Sequence, residues 1–224
     1  SPDRRGVDVA LIYQKEHFKV LNSNHVKLSI SGNPGFASRD QLVVSGIFDG
    51  EPLYLIVNHW PSRSGGEKKS APLRNAAADL CKSIVDSIQK IDENAKIIIM
   101  GDLNDDPVNN SIVKHLKAKS EISKTMPKDL YNPMYNLFKK DGIGSLAYKD
   151  KWNLFDQIIV SGTLLGSDKL TYKFYKAKVF NKNFLLQKEG AFAGYPFRTY
   201  AGGVYLGGYS DHFPPYIFIV KEKK

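Results

Sequence analysis

The chain has 224 residues, room for one substantial domain with its own core and no need of covalent staples. Its composition, 42% hydrophobic and 25% charged, is that of a globular protein, and the lone cysteine, Cys81, excludes an internal disulfide. The net charge of +9 invites a nucleic-acid reading, but the excess is nearly all lysine, the arginines being Arg4, Arg5, Arg39, Arg63, Arg74 and Arg198. Scattered lysine reports a solvated surface with a mild pull on anions rather than a specific phosphate reader.

In chain order, residues 7–13 alternate apolar and polar and predict a strand, and residues 20–30 predict one or two more. Residues 42–48 and 53–59 read as a hairpin across the turn Asp49-Gly50-Glu51-Pro52. After a glycine- and lysine-rich loop (62–69), Ser70 is placed to cap a helix with Pro72 in its first turn. Ala76, Ala77, Leu80, Ile84, Val85 and Ile88 then recur at helical spacing to about residue 91, and Cys81 falls among them as a buried thiol. Residues 96–100 form an apolar run suited to a strand covered on both faces. A second helical stretch is expected over 110–117, and 119–151 reads as irregular, polar surface loop. Strands resume at 154–160 and 173–180, a glycine- and tyrosine-rich loop fills 190–209, and residues 216–220 form the last strand. Many strands with two clear helices predict an α+β sandwich of two sheets. No run approaches the roughly 18 apolar residues of a membrane span. The opening Ser1-Pro2-Asp3 has no signal-peptide character, which leaves the compartment, export from a bacterium included, undecided.

Four polar clusters lie just past the ends of apolar strands, where side chains of neighbouring strands project into a common crevice. They are Val57-Asn58-His59-Trp60-Pro61, Met100-Gly101-Asp102-Leu103-Asn104-Asp105-Asp106-Pro107, Trp152-Asn153-Leu154-Phe155-Asp156-Gln157-Ile158 and Gly208-Tyr209-Ser210-Asp211-His212-Phe213-Pro214. The hard oxygen ligands Asp102, Asn104 and Asp211 suit Mg²⁺ or Mn²⁺ rather than zinc. His59 and His212 beside carboxylates suit proton transfer near neutral pH, and the set describes metal-assisted hydrolysis of a phosphoester. Singly, each piece has a plainer explanation: Asp-x-Asn after a strand is a common turn, and a lone histidine at a strand end is usually a satisfied core group. Asp156, inside an apolar run, implies a partner, because a buried unpaired carboxylate costs several kcal/mol.

Gly101-Asp102-Leu103-Asn104, the strand Phe155-Asp156-Gln157-Ile158 and the terminal Ser210-Asp211-His212 resemble the signature of the endonuclease/exonuclease/phosphatase superfamily. That group, which has a deoxyribonuclease-I-like fold, includes pancreatic-type deoxyribonuclease, apurinic endonucleases, inositol polyphosphate 5-phosphatases and bacterial sphingomyelinases. The resemblance runs from about Arg5 onward and implies a four-layer α/β/β/α sandwich of two mostly antiparallel sheets. It further implies that Asp102 orients or deprotonates the attacking water and that Asn104 holds the water or the phosphate. His212 would bind the scissile phosphate with Asp156 fixing its tautomer, and Asp211, with Asp102 and Asn104, would serve the metal. His59 would act as general acid or second phosphate contact, and Arg39 would neutralise phosphate charge. The family's opening strands, with an asparagine and the main metal-binding glutamate, have no counterpart in these residues. Residues 1–224 are therefore expected to be one domain corresponding to the C-terminal two-thirds of the family's, lacking its N-terminal strands. One carboxylate fewer predicts loose Mg²⁺ binding and little or no activity for this piece, with the complete protein active.

The function expected is divalent-metal-dependent hydrolysis of phosphoesters, phosphodiesterase- or nuclease-like, with nucleic acid left open as a partner. A phosphatase or phospholipase acting on a small phosphorylated ligand, and a catalytically impaired binding module, also stay open. No protein partner is read from the sequence.

Overall fold

The computed structural model describes residue 3 and residues 5–222; Ser1, Pro2 and Arg4, named above, lie outside the described residues. Its strands are β1 (Phe18–Val26), β2 (Gln41–Phe48), β3 (Glu51–His59), β4 (Ile97–Asp102), β5 (Ala118–Lys119), β6 (Leu130–Tyr131), β7 (Leu146–Tyr148), β8 (Lys151–Asn153), β9 (Asp156–Ser161), β10 (Lys173–Val179), β11 (Tyr200–Ala201), β12 (Val204–Tyr205) and β13 (Pro215–Val220). Helix α1 spans Glu67–Ile91 and α2 Met134–Lys139. Seven strands form one sheet in the order β1-β2-β3-β4-β9-β6-β5, mostly antiparallel, with β3 and β4 parallel across the α1 crossover. β10 and β13 form a second, antiparallel sheet.

Apolar patterning explains the layering. The central stretches of β3, β4 and β9, residues 53–57, 97–100 and 158–160, are apolar throughout, because both of their faces are covered. Ile56, Ile97, Ile99 and Ile159 face α1, where Ala77, Cys81 and Val85 recur at helical spacing. Leu55, Val57, Ile98, Ile158 and Val160 face the other way, against Ala177 and Val179 of β10 and against Phe213. Each buried isoleucine side chain contributes about 2 kcal/mol of transfer free energy. α1, the large sheet and the β10–β13 sheet thus form three stacked layers. Among the described residues no long helix covers the β10–β13 sheet; the six-residue α2 and the short turn Gly162–Leu164 touch β10, and α2 touches β9 as well.

Several expectations are corrected. Residues 7–13 alternate but pair with no strand among the described residues; Val9 and Leu11 pack on the core without a ladder. α1 begins at Glu67, capped by Gly66, so Pro72 lies inside the helix, and the Ser70 hydroxyl donates back to the Gly66 carbonyl (2.8 Å). Gly65 and Gly66, at φ 76° and 105°, let the chain enter the helix early. The 110–117 helix is a π-helical turn at Ser111–His115. The 119–151 segment is no mere surface loop: it supplies β6 to the main sheet and α2 to the core, and it buries Leu130, Met134 and Ser145. The β2–β3 turn is the expected hairpin, with Asp49 and Gly50 both at positive φ (44° and 86°).

Candidate active site

The parallel register of β3 and β4 sets His59 opposite Asp102, and the antiparallel register of β4 and β9 sets Asp102 opposite Asp156. Three neighbouring strand ends thus bring one functional group each to the same edge, and the turn before β13 adds His212 from the second sheet. Close approach of the strands is built into Gly101. A Cβ there would stand 1.9 Å from the Asn58 carbonyl oxygen, and its φ of 133° favours glycine.

Asp102, Asp156 and His212 each present a ligand atom within 4.8 Å of the others. His212 Nδ1 lies 2.8 Å from Asp156 Oδ2, which also accepts the Ser145 hydroxyl at 2.6 Å. Asp102 Oδ2 lies 3.5 Å from His59 Nε2 and 4.0 Å from His212 Nδ1, while its Oδ1 accepts the Asn104 N–H at 2.8 Å. Asn104 is buried, sits at φ 51°, and donates its side-chain amide to the Trp60 carbonyl (3.0 Å). The Trp60 carbonyl also takes a hydrogen bond from Arg39 (2.7 Å), and Trp60 N–H donates to the Asp102 carbonyl (2.9 Å).

The two histidines have opposite character. Burial, with the Arg39 charge next, holds His59 down at about 4, so it is neutral over most of the pH range. Burial also pulls on His212, but the hydrogen bond and charge of Asp156 outweigh it and raise the group to about 9, which makes it a cation at neutral pH. Burial and the nearby Asp156 charge push Asp102 up to about 6. The expectation that both imidazoles titrate near neutral pH is therefore replaced by a fixed pair, one neutral and one charged.

Two expected residues stand apart from this group. Arg39 is buried behind it, spending its guanidinium on the Trp60 carbonyl and on Asp3 (3.2 Å), so it braces the strand end instead of facing an open surface. Asp211 is exposed on its loop and lies outside the three-residue cluster, although His212 feels its charge.

Other contributors were given no role from the sequence. Ser145 is fully buried under Asp156, and nothing about a serine in a polar stretch marks it. Below Asn104, Arg63 donates to its carbonyl (2.9 Å) and to Asp105 (3.1 Å), and stacks 4.3 Å from the centre of the Phe155 ring. Arg74, wholly buried, pairs with Asp105 at 2.7 Å. A signal for it existed: Arg74 is in helical register with Ala77, Ala78, Cys81 and Val85, and a cation on the buried stripe demands a buried anion. Gln157 donates to the Asp105 carbonyl (2.6 Å) and accepts from Asn132 (2.7 Å), completing the floor.

The donor set is of the hard-oxygen kind. Burial and the neighbouring Asp156 charge make Asp102 a carboxylate beside which a cation is stabilised, whereas His212, protonated and bonded to Asp156, is not a ligand.

Comparison with known proteins adds three findings. A family model described as Endonuclease/Exonuclease/phosphatase family matches residues 1–221. No curated protein sequence matches significantly. Among solved structures, a humanized D. rerio TDP2 aligns at TM-score 0.54 and 17% identity, over 92% of this chain and 68% of that one. D. rerio TDP2 complexed with single-strand DNA product aligns at 0.53 and 16%, over 92% and 69%. Bacteroides thetaiotaomicron mannosyl-6-phosphatase aligns at 0.52 and 16%, over 93% and 69%. At these identities the likeness is one of fold, and the chain spans about two thirds of the length of each structure.

Proposed function

The chain belongs to the endonuclease/exonuclease/phosphatase family, and on that premise we propose that it is a divalent-metal-dependent phosphoester hydrolase acting first on phosphodiesters. The observation that carries this reading is the convergence of Asp102, Asp156, cationic His212 and neutral His59 at one sheet edge.

In this mechanism the His212 imidazolium binds a non-bridging phosphate oxygen. Asp156 holds the ring by Nδ1, which leaves Nε2 for the phosphate. Asp102 orients the attacking water and takes its proton; a group near 6 is well matched to base catalysis at neutral pH. The water oxygen bonds to phosphorus as the opposite ester bond breaks, and the leaving alkoxide collects a proton from solvent. His59, uncharged, offers a hydrogen bond to a second phosphate oxygen; as a general acid it would be almost wholly deprotonated at pH 7. Asn104 fixes the Asp102 carboxylate through its backbone N–H. Asp102 would hold Mg²⁺ or Mn²⁺, with Asn104 as a further oxygen donor; Asp211, exposed and outside the cluster, would add negative charge rather than a ligand atom. The bound ion would neutralise phosphate charge and make a coordinated water more acidic.

The single-domain reading of residues 1–224, as the C-terminal two-thirds of the family's domain, is part of the proposal. Nucleic acid as substrate draws support from the TDP2 structure with single-strand DNA product, and a phosphomonoester substrate from the mannosyl-6-phosphatase. The test is hydrolysis of bis-p-nitrophenyl phosphate and p-nitrophenyl phosphate at about 10 mM Mg²⁺, a level set by the low carboxylate count. The parent rate is expected to be low, as the carboxylate count predicts, and Asp102→Ala and His212→Ala are each expected to reduce it further, by at least about 100-fold or to background. A metal-independent rate, or one insensitive to both substitutions, favours a binding module instead.

A further inference from the structure

A cavity of about 740 Å³ opens between the β7–β8 hairpin and the glycine- and tyrosine-rich loop, walled by Tyr148, Phe192, Tyr195 and Leu206 with Gln187 and Arg198 among its polar groups. Its aromatic walls are bare: Tyr148 is 64% and Phe192 57% exposed. Aromatic faces left open to water inside a concavity are a binding feature rather than a packing one.

The cavity is linked to the catalytic edge through the β7–β8 hairpin. Ser145, whose hydroxyl donates to Asp156, lies two residues before the cavity-lining Ala147, about 7 Å of extended chain. The Ser145 carbonyl accepts the Phe213 N–H at 2.7 Å, one residue beyond His212. Trp152 of β8 stacks on Phe213 (6.0 Å between centroids, 17° between planes) and meets Tyr195 at 5.9 Å. Tyr195 is fixed in turn, its hydroxyl donating to Asp150 Oδ1 (2.6 Å) and accepting the Asp150 N–H (2.8 Å). One continuous set of contacts therefore joins the Asp156–His212 pair to the aromatic wall.

We infer that this cavity receives the alcohol portion of the phosphoester, a flat aryl or heteroaryl ring, while the phosphate sits at Asp102 and His212. The inference rests on the hydrolase reading for the position of the phosphate. Rings stack on Tyr148, Phe192 and Tyr195, the small side chains of Ala147, Ala191 and Ala201 leave them room, and Arg198 offers its guanidinium plane or a hydrogen bond to ring heteroatoms.

Isothermal titration calorimetry of the 224-residue chain with inorganic phosphate, methyl phosphate, phenyl phosphate, adenosine 5′-monophosphate and adenosine tests this. Phenyl phosphate, the adenosine monophosphate or both bind at least about tenfold tighter than methyl phosphate, and the tighter of the two identifies the ring. Phe192→Ala and Tyr148→Ala remove most of that advantage and leave the Kd for inorganic phosphate within about twofold. Leu206→Arg, which narrows the cavity instead of opening it, has the same effect. Ring compounds that bind no tighter than methyl phosphate, or variants that weaken methyl phosphate equally, overturn the inference. Adenosine separates the two claims. If it binds with dependence on Phe192 while phosphate does not bind, the ring pocket stands and the hydrolase reading falls; if phosphate binds through His212 and no ring adds affinity, the reverse holds.

Discussion

Replacing Asp156 with asparagine removes one charge and keeps the shape, so it isolates what the carboxylate does to His212. In the intact site the 2.8 Å contact overcomes burial and lifts the imidazole from an ordinary 6.5 to about 9. A rise of that size corresponds to about 3 kcal/mol favouring the charged ring in the folded protein; screening by water at a side chain 21% exposed reduces it to about 2 kcal/mol. A raised pKa stabilises the fold fully below the unfolded value of 6.5 and loses its effect as pH climbs through 9. Asp156→Asn should therefore lose about 2 kcal/mol in urea unfolding near pH 6, and much less above pH 9. Imidazole nitrogen–proton NMR should show His212 titrating near 9 in the parent and well below that in the variant, where only the charges of Asp102 and Asp211 oppose burial. A parent His212 titrating near 6.5, or a variant still near 9, refutes the assignment of the shift to Asp156.

In the parent, hydrolysis should rise with pH as Asp102 ionises, at or below about 6 once a cation is bound, and fall as His212 loses its proton near 9; a rate–pH profile with no alkaline limb in that region contradicts the role given to His212. Arg74→Met leaves Asp105 buried with only Arg63 to balance it, and should cost about 3 kcal/mol in denaturant unfolding, largely recovered by adding Asp105→Asn. Glu51 joins the β2–β3 hairpin to Lys96, Thr171 and Lys221. Burial would raise its pKa, but these partners bring it down to about 2, so its contribution is present above pH 4.5 and lost as pH falls through 2. Glu51→Gln should cost about 1 kcal/mol at pH 7 and little at pH 2, measured by urea midpoints. Gly101→Ala drives a methyl into the Asn58 carbonyl at a disallowed φ and should cost more than about 4 kcal/mol or abolish folding, read by circular dichroism.

The framework around the site was legible because it is written in long periods. β2, β3, β4 and β9 hold apolar runs long enough to declare themselves, and α1 shows its stripe from Ala76 to Ile88, about four turns. Polar residues at the ends of those runs meet in space because parallel and antiparallel registers fix them there. β5, β6 and β7, of two or three residues each, are too short to show any period, so the segment that supplies Ser145 read as loop. Residues 7–13 failed the other way: alternation is local, whereas a strand needs a neighbour. The floor is polar, and the supporting roles of Asn132, Gln157 and Asp105 were hidden because satisfied buried amides and carboxylates look like surface residues in a sequence. The opposite charge states of His59 and His212 depend on burial and on Asp156 across the site, which no motif encodes.

The most direct test is a crystal soaked with Mn²⁺ and inorganic phosphate and measured at the manganese absorption edge. An anomalous peak against the Asp102 carboxylate, with a phosphate bridging it to His212, is the result predicted. Phosphate and manganese bound elsewhere, with the Asp102–Asp156–His212 edge holding neither, would contradict the hydrolase assignment.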